Sequence, residues 1–298
     1  MSLLIVGSIA LDSVKTPFGE VREALGGSAV YASMASKHFS QTEIIGVIGK
    51  DFPEEHLKLL EDNKISIIGV EKVDGKTFRW KGVYNDLNKA ETLDTQLNVF
   101  ADFQPKLSEK HQNTEYVFLG NIDPVLQLDV LNKIKNPRIT ACDTMNFWIS
   151  GKLEKLIEVI KEVDILFINE DELKMLTGEN NIFKAAEITE KYNLKLIVIK
   201  KGEHGAIAVK NDFVFFAPVF PLKRVVDPTG AGDSFAGGFM GYLAKSDNFN
   251  EKTIKNAMIY GTILASFDVE DFSLNKLSKV SSEEIEFRKE KIRQSVIF

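Results

Sequence analysis

The 298-residue chain reads as an α/β protein: a three-layer, doubly wound, mostly parallel sheet with helices on both faces, plus a small β-sheet set off from it. Three observations carry that reading. Short apolar runs alternate with longer segments of helical periodicity, the rhythm of successive strand–helix units. Two stretches, about 12–24 and 67–103, break the rhythm with strand-like runs and no intervening helix. Hydrophobic residues make up 44% of the chain and charged residues 27%, enough for a sizeable core under a charged surface. One domain over 1–298 accommodates the whole pattern.

The first strand is expected at Leu3–Gly7. Met1 to Leu11 is apolar enough to resemble a signal segment, but it lacks a basic leader and Asp12 interrupts it, so a buried strand is the better reading. Further core strands are expected at Glu43–Ile48, Tyr116–Gly120, Ile139–Cys142, Ile165–Asn169 and Leu196–Lys200. Ala206–Lys210 and Phe213–Ala217 flank Asn211-Asp212 and read as a hairpin. Helical spacing is found at Ala29–Phe39, Pro53–Asn63, Leu126–Ile134, Leu153–Val163, Glu170–Thr177, Ile182–Tyr192, Ser234–Lys245, Thr253–Phe267 and Ser282–Gln294. In the second rhythm-breaking stretch, Asp74-Gly75 reads as a hairpin turn between Ile67–Val73 and Lys76–Tyr84, giving a small antiparallel sheet together with Asp12–Ala24.

Bulk properties narrow the function classes. A net charge of −6 offers no basic field for nucleic acid or acidic lipid. No apolar run reaches membrane-spanning length. The lone Cys142 suits a reducing, cytoplasmic setting. The four histidines (His38, His56, His111 and His204) have no zinc-ligand spacing.

The most informative stretch is 227–239, Asp-Pro-Thr-Gly-Ala-Gly-Asp-Ser-Phe-Ala-Gly-Gly-Phe. Gly230, Ala231 and Gly232 let backbone approach a ligand closely, and the helix that follows presents unpaired amides and its positive dipole end to an anion. Asp233 is a carboxylate beside that cradle. One group to take a proton and another to hold phosphoryl charge are what phosphoryl transfer to a hydroxyl needs. A plain glycine-rich helix start with an acidic first turn is the competing reading.

Polar residues also gather where expected strands end: Gly120-Asn121, Asp143 with Asn146, Asn169 with Glu172, and Lys201-Gly202. Ligands of open parallel sheets collect at those ends. Asn169-x-x-Glu172 is equally a capping box. Lys201-Gly202-Glu203-His204-Gly205 is equally a tight turn between strands. Gly26-Gly27 is a flexible helix entry or a place for a ligand to lie on backbone. Asp12 can accept two hydroxyl hydrogen bonds. Phe78 and Trp80, with Phe100 and Phe103 beyond, are packing in a half-exposed strand or an aromatic wall, and Arg79 is a candidate for a substrate anion.

These motifs, in this order, resemble the ribokinase-like (PfkB) carbohydrate kinases over nearly the whole chain. The resemblance implies ATP-dependent phosphorylation of an alcohol on a small sugar, polyol or nucleoside. Asp233 would be the general base and Gly230, Ala231 and Gly232 the anion hole. Asp12, Gly26, Gly27, Tyr31 and Asn121 would bind the acceptor, with Tyr31 standing where ribokinases usually carry a sugar-binding asparagine. Asn169, Glu172, Lys201, Gly202, Gly205, Ala257 and Gly261 would bind ATP, and Glu172 would hold Mg2+ through water. Asp227 and Thr229 resemble positions that hold a monovalent cation in some members. The small sheet would be a lid, and its edge a surface for a homodimer. A nucleoside (adenosine-type) kinase of the same family stays open, as does a non-catalytic nucleotide- or sugar-binding regulator on the same scaffold; a dehydrogenase is a distant third. Against other nucleotide chemistries, Gly75-Lys76-Thr77 has Val70 where a P-loop needs glycine, no G-x-G-x-x-G follows the first strand, and no G-x-S-x-G is present.

Overall fold

The computed structural model describes residues 1–297, and among them thirteen strands form. They are β1 (Ser2–Val6), β2 (Ala10–Thr16), β3 (Gly19–Gly26), β4 (Gln41–Gly49), β5 (Ile65–Val73), β6 (Phe78–Asp86), β7 (Lys89–Gln96), β8 (Tyr116–Leu119), β9 (Ile139–Asp143), β10 (Ile165–Asn169), β11 (Leu196–Lys200), β12 (Ala206–Lys210) and β13 (Phe213–Ala217). Nine form one sheet in the order β13-β12-β11-β10-β9-β8-β1-β4-β5, parallel except where β12 and β13 join antiparallel. The other four form a separate sheet, β3-β2-β6-β7.

The main strands are apolar almost throughout because both faces are covered. Alternation along β1 shows it: Leu3 and Ile5 join a core with Met34, Phe239 and Leu264, while Leu4 and Val6 join the opposite core with Leu156, Val159 and Leu173. The first core is roofed by the helices Ser28–Ser36, Ala231–Ser246 and Glu251–Asp268, the second by Leu153–Glu162 and Glu170–Thr177. The chain leaves β1 toward β4 on one side and returns to β8 on the other, so the strand order reverses there and opens a crevice at the carboxyl ends.

The β-rich stretches correct two expectations. Ile65–Val73 is not part of the small sheet; it lies parallel to β4 at the edge of the main sheet, because Ile67 and Val70 pack against the core. Asp74-Gly75 is therefore a crossing between sheets rather than a hairpin turn. Lys50 N–H donates to Gly75 O at 3.1 Å and Gly49 N–H to Thr77 Oγ1 at 3.0 Å, fixing that crossing. The small sheet is also mixed rather than antiparallel, since β2 and β6 run parallel between the hairpins β2–β3 and β6–β7.

Helix ends shift too. The C-terminal signature helix begins at Ala231 rather than Ser234, which puts Asp233 inside its first turn. Ile182–Thr189 closes with a 3₁₀ turn at Glu190–Tyr192, and short helices at Glu109–Gln112 and Asn146–Gly151 had no expectation. A hollow of about 610 Å³ lies where the chain passes between the sheets, lined in part by Val73, Lys76, Asn98, Phe103 and Lys106; of the residues singled out in sequence only Phe103, from the candidate aromatic wall, and the Asp74–Lys76 crossing reach it.

Candidate active site

Gly230 takes φ +82°, a left-handed conformation, and caps the Ala231–Ser246 helix. A Cβ there would also overlap the Tyr31 ring, so glycine is required on two counts. Thr229 N–H donates to Asp227 Oδ1 at 3.0 Å and Ser273 N–H approaches Asp227 Oδ2 at 3.5 Å, so this buried carboxylate braces the turn. The turn delivers Asp233 to the floor of the cleft. Burial, then the charge of Asp143, lifts its carboxyl to about 7, with Lys200 opposing. A carboxylate near neutral is matched to proton abstraction from an alcohol.

Asp12 enters the same cleft from β2. It is 5% exposed, lies against Gly26 where any Cβ would overlap its carboxylate, and has the Gly27 N–H beside it. Burial first, then the charges of Asp227 and Asp233, raise it to about 7. The two carboxylates predicted at opposite ends of the chain thus feel each other. Gly27 (φ +99°) starts the Ser28–Ser36 helix, whose first turn is pinned by reciprocal bonds between Ser8 and Ser28. Tyr31 is buried beneath the glycine turn at 2% exposure. Asn121, at the end of β8, accepts from Trp148 Nε1 at 2.9 Å, and Phe147 packs edge-on against that indole while remaining exposed.

Asn169 and Glu172 realise the capping box in full: Glu172 N–H donates to Asn169 Oδ1 at 2.8 Å, and Asn169 N–H to Glu172 Oε2 at 2.9 Å. The other Glu172 oxygen makes no hydrogen bond among the described residues, and burial raises the carboxyl to about 7, with Lys200 opposing and Asp143 adding to the rise. No group of three or more His, Cys, Asp or Glu among the described residues could cage a metal. One uncommitted carboxylate oxygen fits a magnesium ion that keeps most of its waters. Gly202 and Gly205 shape the turn after β11, while Lys201 is tied to Glu170 Oε2 at 2.8 Å.

Ala257 and Gly261 do not join the site. Both are buried where the Glu251–Asp268 helix packs on Ala231–Ser246, and a Cβ on Gly261 would sit 2.7 Å from Phe235 O. Their small size serves helix packing rather than nucleotide contact. Arg79 is likewise committed, to Glu23 at 2.7 Å and Asp51 at 2.8 Å. Phe78, Phe100 and Phe103 stack in series at 5.3 and 5.6 Å.

Residues missed in sequence include Lys200, paired with Asp143 at 2.5 Å; its signal was a charge ending a buried strand. Asp268, 1% exposed with neither oxygen hydrogen-bonded among the described residues, is pushed well up by burial and by Asp227 and Asp233. Tyr84 of β6 accepts from Thr229 Oγ1 at 3.2 Å, and Asn88 donates to Glu203 at 3.3 Å. The small sheet thereby bridges from the acceptor side to the turn after β11.

Residues 5–279 match the model of the pfkB family carbohydrate kinases. The chain belongs to that family. A cytidine kinase of Thermococcus kodakarensis is 31% identical over 80% of this chain and 87% of its own length. A nucleoside kinase of Methanocaldococcus jannaschii is 26% identical over 87% of this chain and 82% of its own. Among solved structures, the M. jannaschii nucleoside kinase, described as an archaeal member of the ribokinase family, superposes with a TM-score of 0.79 at 22% identity, covering 97% of this chain and 98% of that one. As a pfkB-family kinase the chain is an ATP-dependent phosphotransferase whose acceptor is an alcohol on a small sugar, polyol or nucleoside. Among the described residues no helix is long and apolar enough to cross a membrane.

Proposed function

We propose that the acceptor is a nucleoside and that Asp233 deprotonates the hydroxyl that becomes phosphorylated. The arrangement that supports the chemistry is Asp233 in the first turn after Gly230, that turn packed on the Tyr31 ring, and Asp12 against Gly26 close enough to feel the Asp233 charge. The preference for a nucleoside rests on the two relatives named for nucleoside substrates and on the indole of Trp148, held by Asn121 beside an exposed Phe147. An aromatic pair with an anchored polar edge suits a base better than a bare sugar.

In this reading Asp12 accepts hydrogen bonds from the sugar hydroxyls and orients the acceptor. Asp233 takes the hydroxyl proton as the acceptor oxygen bonds to the γ-phosphorus and the bond to ADP breaks. Amides of Gly230 and Gly232 hold the charge that develops on the phosphoryl oxygens, the Ala231 N–H being already given to Pro228 O at 3.2 Å. Glu172 and Asn169 would hold magnesium through water, and the ion would offset phosphate charge. The small sheet, tied to Thr229 through Tyr84, excludes water from the transfer.

The test is release of ADP from ATP with cytidine, uridine, inosine, adenosine, ribose and fructose offered singly. A nucleoside should give the highest kcat/KM. Faster turnover of ribose or fructose than of every nucleoside would overturn the acceptor assignment.

A further inference from the structure

Asp268 closes the Glu251–Asp268 helix at 1% exposure, and none of the steps above uses it. Neither of its oxygens makes a hydrogen bond among the described residues. Burial, then the charges of Asp227 and Asp233, push its carboxyl well up; the Ser234 hydroxyl alone opposes. It also stands at the negative end of its own helix dipole. A carboxyl placed there without a cation costs stability, and an apolar side chain would pack better. Stability of the fold therefore gives no reason for an acid at this position.

Its neighbours do. The Glu251–Asp268 and Ala231–Ser246 helices pack closely: a Cβ on Gly238 would come 3.2 Å from Gly261 Cα, and one on Gly261 2.7 Å from Phe235 O. Along that seam the last residue of one helix arrives at the first turn of the other. Ser234 is fully buried there, and its Oγ has no partner among the described residues either. Two unpaired polar groups thus face each other, near enough to interact but not bonded. The next residue extends the contact. Val269 O accepts from Val226 N–H at 2.7 Å, and Asp227 N–H approaches it at 3.4 Å. Residues 268 and 269 accordingly reach both ends of the loop that presents Asp233. Tyr31, whose ring lies under Gly230, feels the Asp268 charge as well.

We propose that Asp268 is a positioning residue for Asp233, its carboxyl pairing with the Ser234 hydroxyl to fix the first turn of the Ala231–Ser246 helix. Sealed from the cleft, it touches no substrate and acts through Ser234. Ser234 N–H already donates to Gly230 O at 2.8 Å. A second tie, from the side chain, sets the rotation of the turn and with it the aim of the adjoining Asp233 carboxylate at the acceptor hydroxyl. Misaim at that point raises the barrier to transfer and leaves substrate binding intact. The proposal rests on the kinase reading of the Asp233 site.

The experiment compares Asp268→Leu, Asp268→Asn, Ser234→Ala and the double variant of Asp268→Leu with Ser234→Ala. Leucine keeps the volume and removes the pairing, whereas asparagine keeps an amide that can donate to Ser234 Oγ. Asp268→Leu should lower kcat about tenfold or more, with KM for ATP and acceptor within about twofold and Tm at or above the parent's. Ser234→Ala should lose as much, the double variant no more than either single one, and Asp268→Asn should return to within about threefold of the parent. A folded Asp268→Leu or Ser234→Ala enzyme with kcat within about twofold of the parent's would overturn the proposal, as would losses that multiply in the double variant. Should leucine prevent folding, Ser234→Ala alone decides by the same limits. Failure of the parent enzyme to release ADP with any acceptor would sink the kinase reading instead.

Discussion

Replacing Asp233 with asparagine should make the protein more stable and nearly inactive at once. The carboxyl titrates near 7 in the fold against 3.8 in a model peptide, about three units, or about 4 kcal/mol at 1.36 kcal/mol per unit. The folded state binds this proton more tightly than the unfolded chain. The stability that protonation supplies is complete below 3.8 and is lost as pH rises through about 7. Asparagine resembles the protonated acid, so its advantage is small at pH 4 and full at pH 8. Partial exposure of Asp233 screens the effect, and about 2 kcal/mol is the working figure. For a chain of 298 residues that raises Tm by about 3 °C at pH 8. Loss of the base should lower kcat by about 10²- to 10⁴-fold. Thermal melts at pH 4 and pH 8, with ADP-release rates on the same preparations, measure both effects. A Tm at pH 8 equal to or below the parent's, or a kcat within about tenfold of it, would refute the reasoning.

Other outcomes follow from the same geometry. Wild-type kcat/KM should climb as pH passes about 7, because Asp233 and Asp12 both ionise there; a profile flat from pH 6 to 8 contradicts that assignment. Glu172→Gln keeps the capping bonds and removes a buried charge whose carboxyl is raised to about 7, so Tm at pH 8 should rise while half-maximal activity needs more magnesium; unchanged magnesium dependence would leave Glu172 a cap alone. Gly230→Ala forces a side chain into the left-handed region and against Tyr31, costing about 1–3 kcal/mol in strain and abolishing turnover, read by melting and rate together. Tyr84→Phe removes the bond to Thr229 and should raise acceptor KM several-fold (about 1 kcal/mol) with little change in Tm, a result checked by steady-state kinetics.

The sequence by itself determined most of the main sheet and the centre of the proposed site. β10 through β13 fall where their apolar runs do; β10 and β11 are continuous hydrophobic stretches because both their faces are buried, while β13 at the edge exposes Val214 and Phe216. Gly230 to Asp233 was legible for a local reason as well: a left-handed glycine before a helix is fixed by neighbours in the chain. Tertiary structure decided what local pattern leaves undetermined. The run at Ile65–Val73 suits either sheet, and only its packing beside β4 assigns it to the main one. Ala257 and Gly261 could have faced a ligand or a helix; the neighbouring Ala231–Ser246 helix made them packing residues. Lys200 was invisible as a site residue because its meaning lies in Asp143 and Gly232, each tens of residues away in the chain. Local conformational preference acts over a few bonds and is written in order, whereas burial, charge coupling and close approach act through space and exist only once the chain has closed on itself.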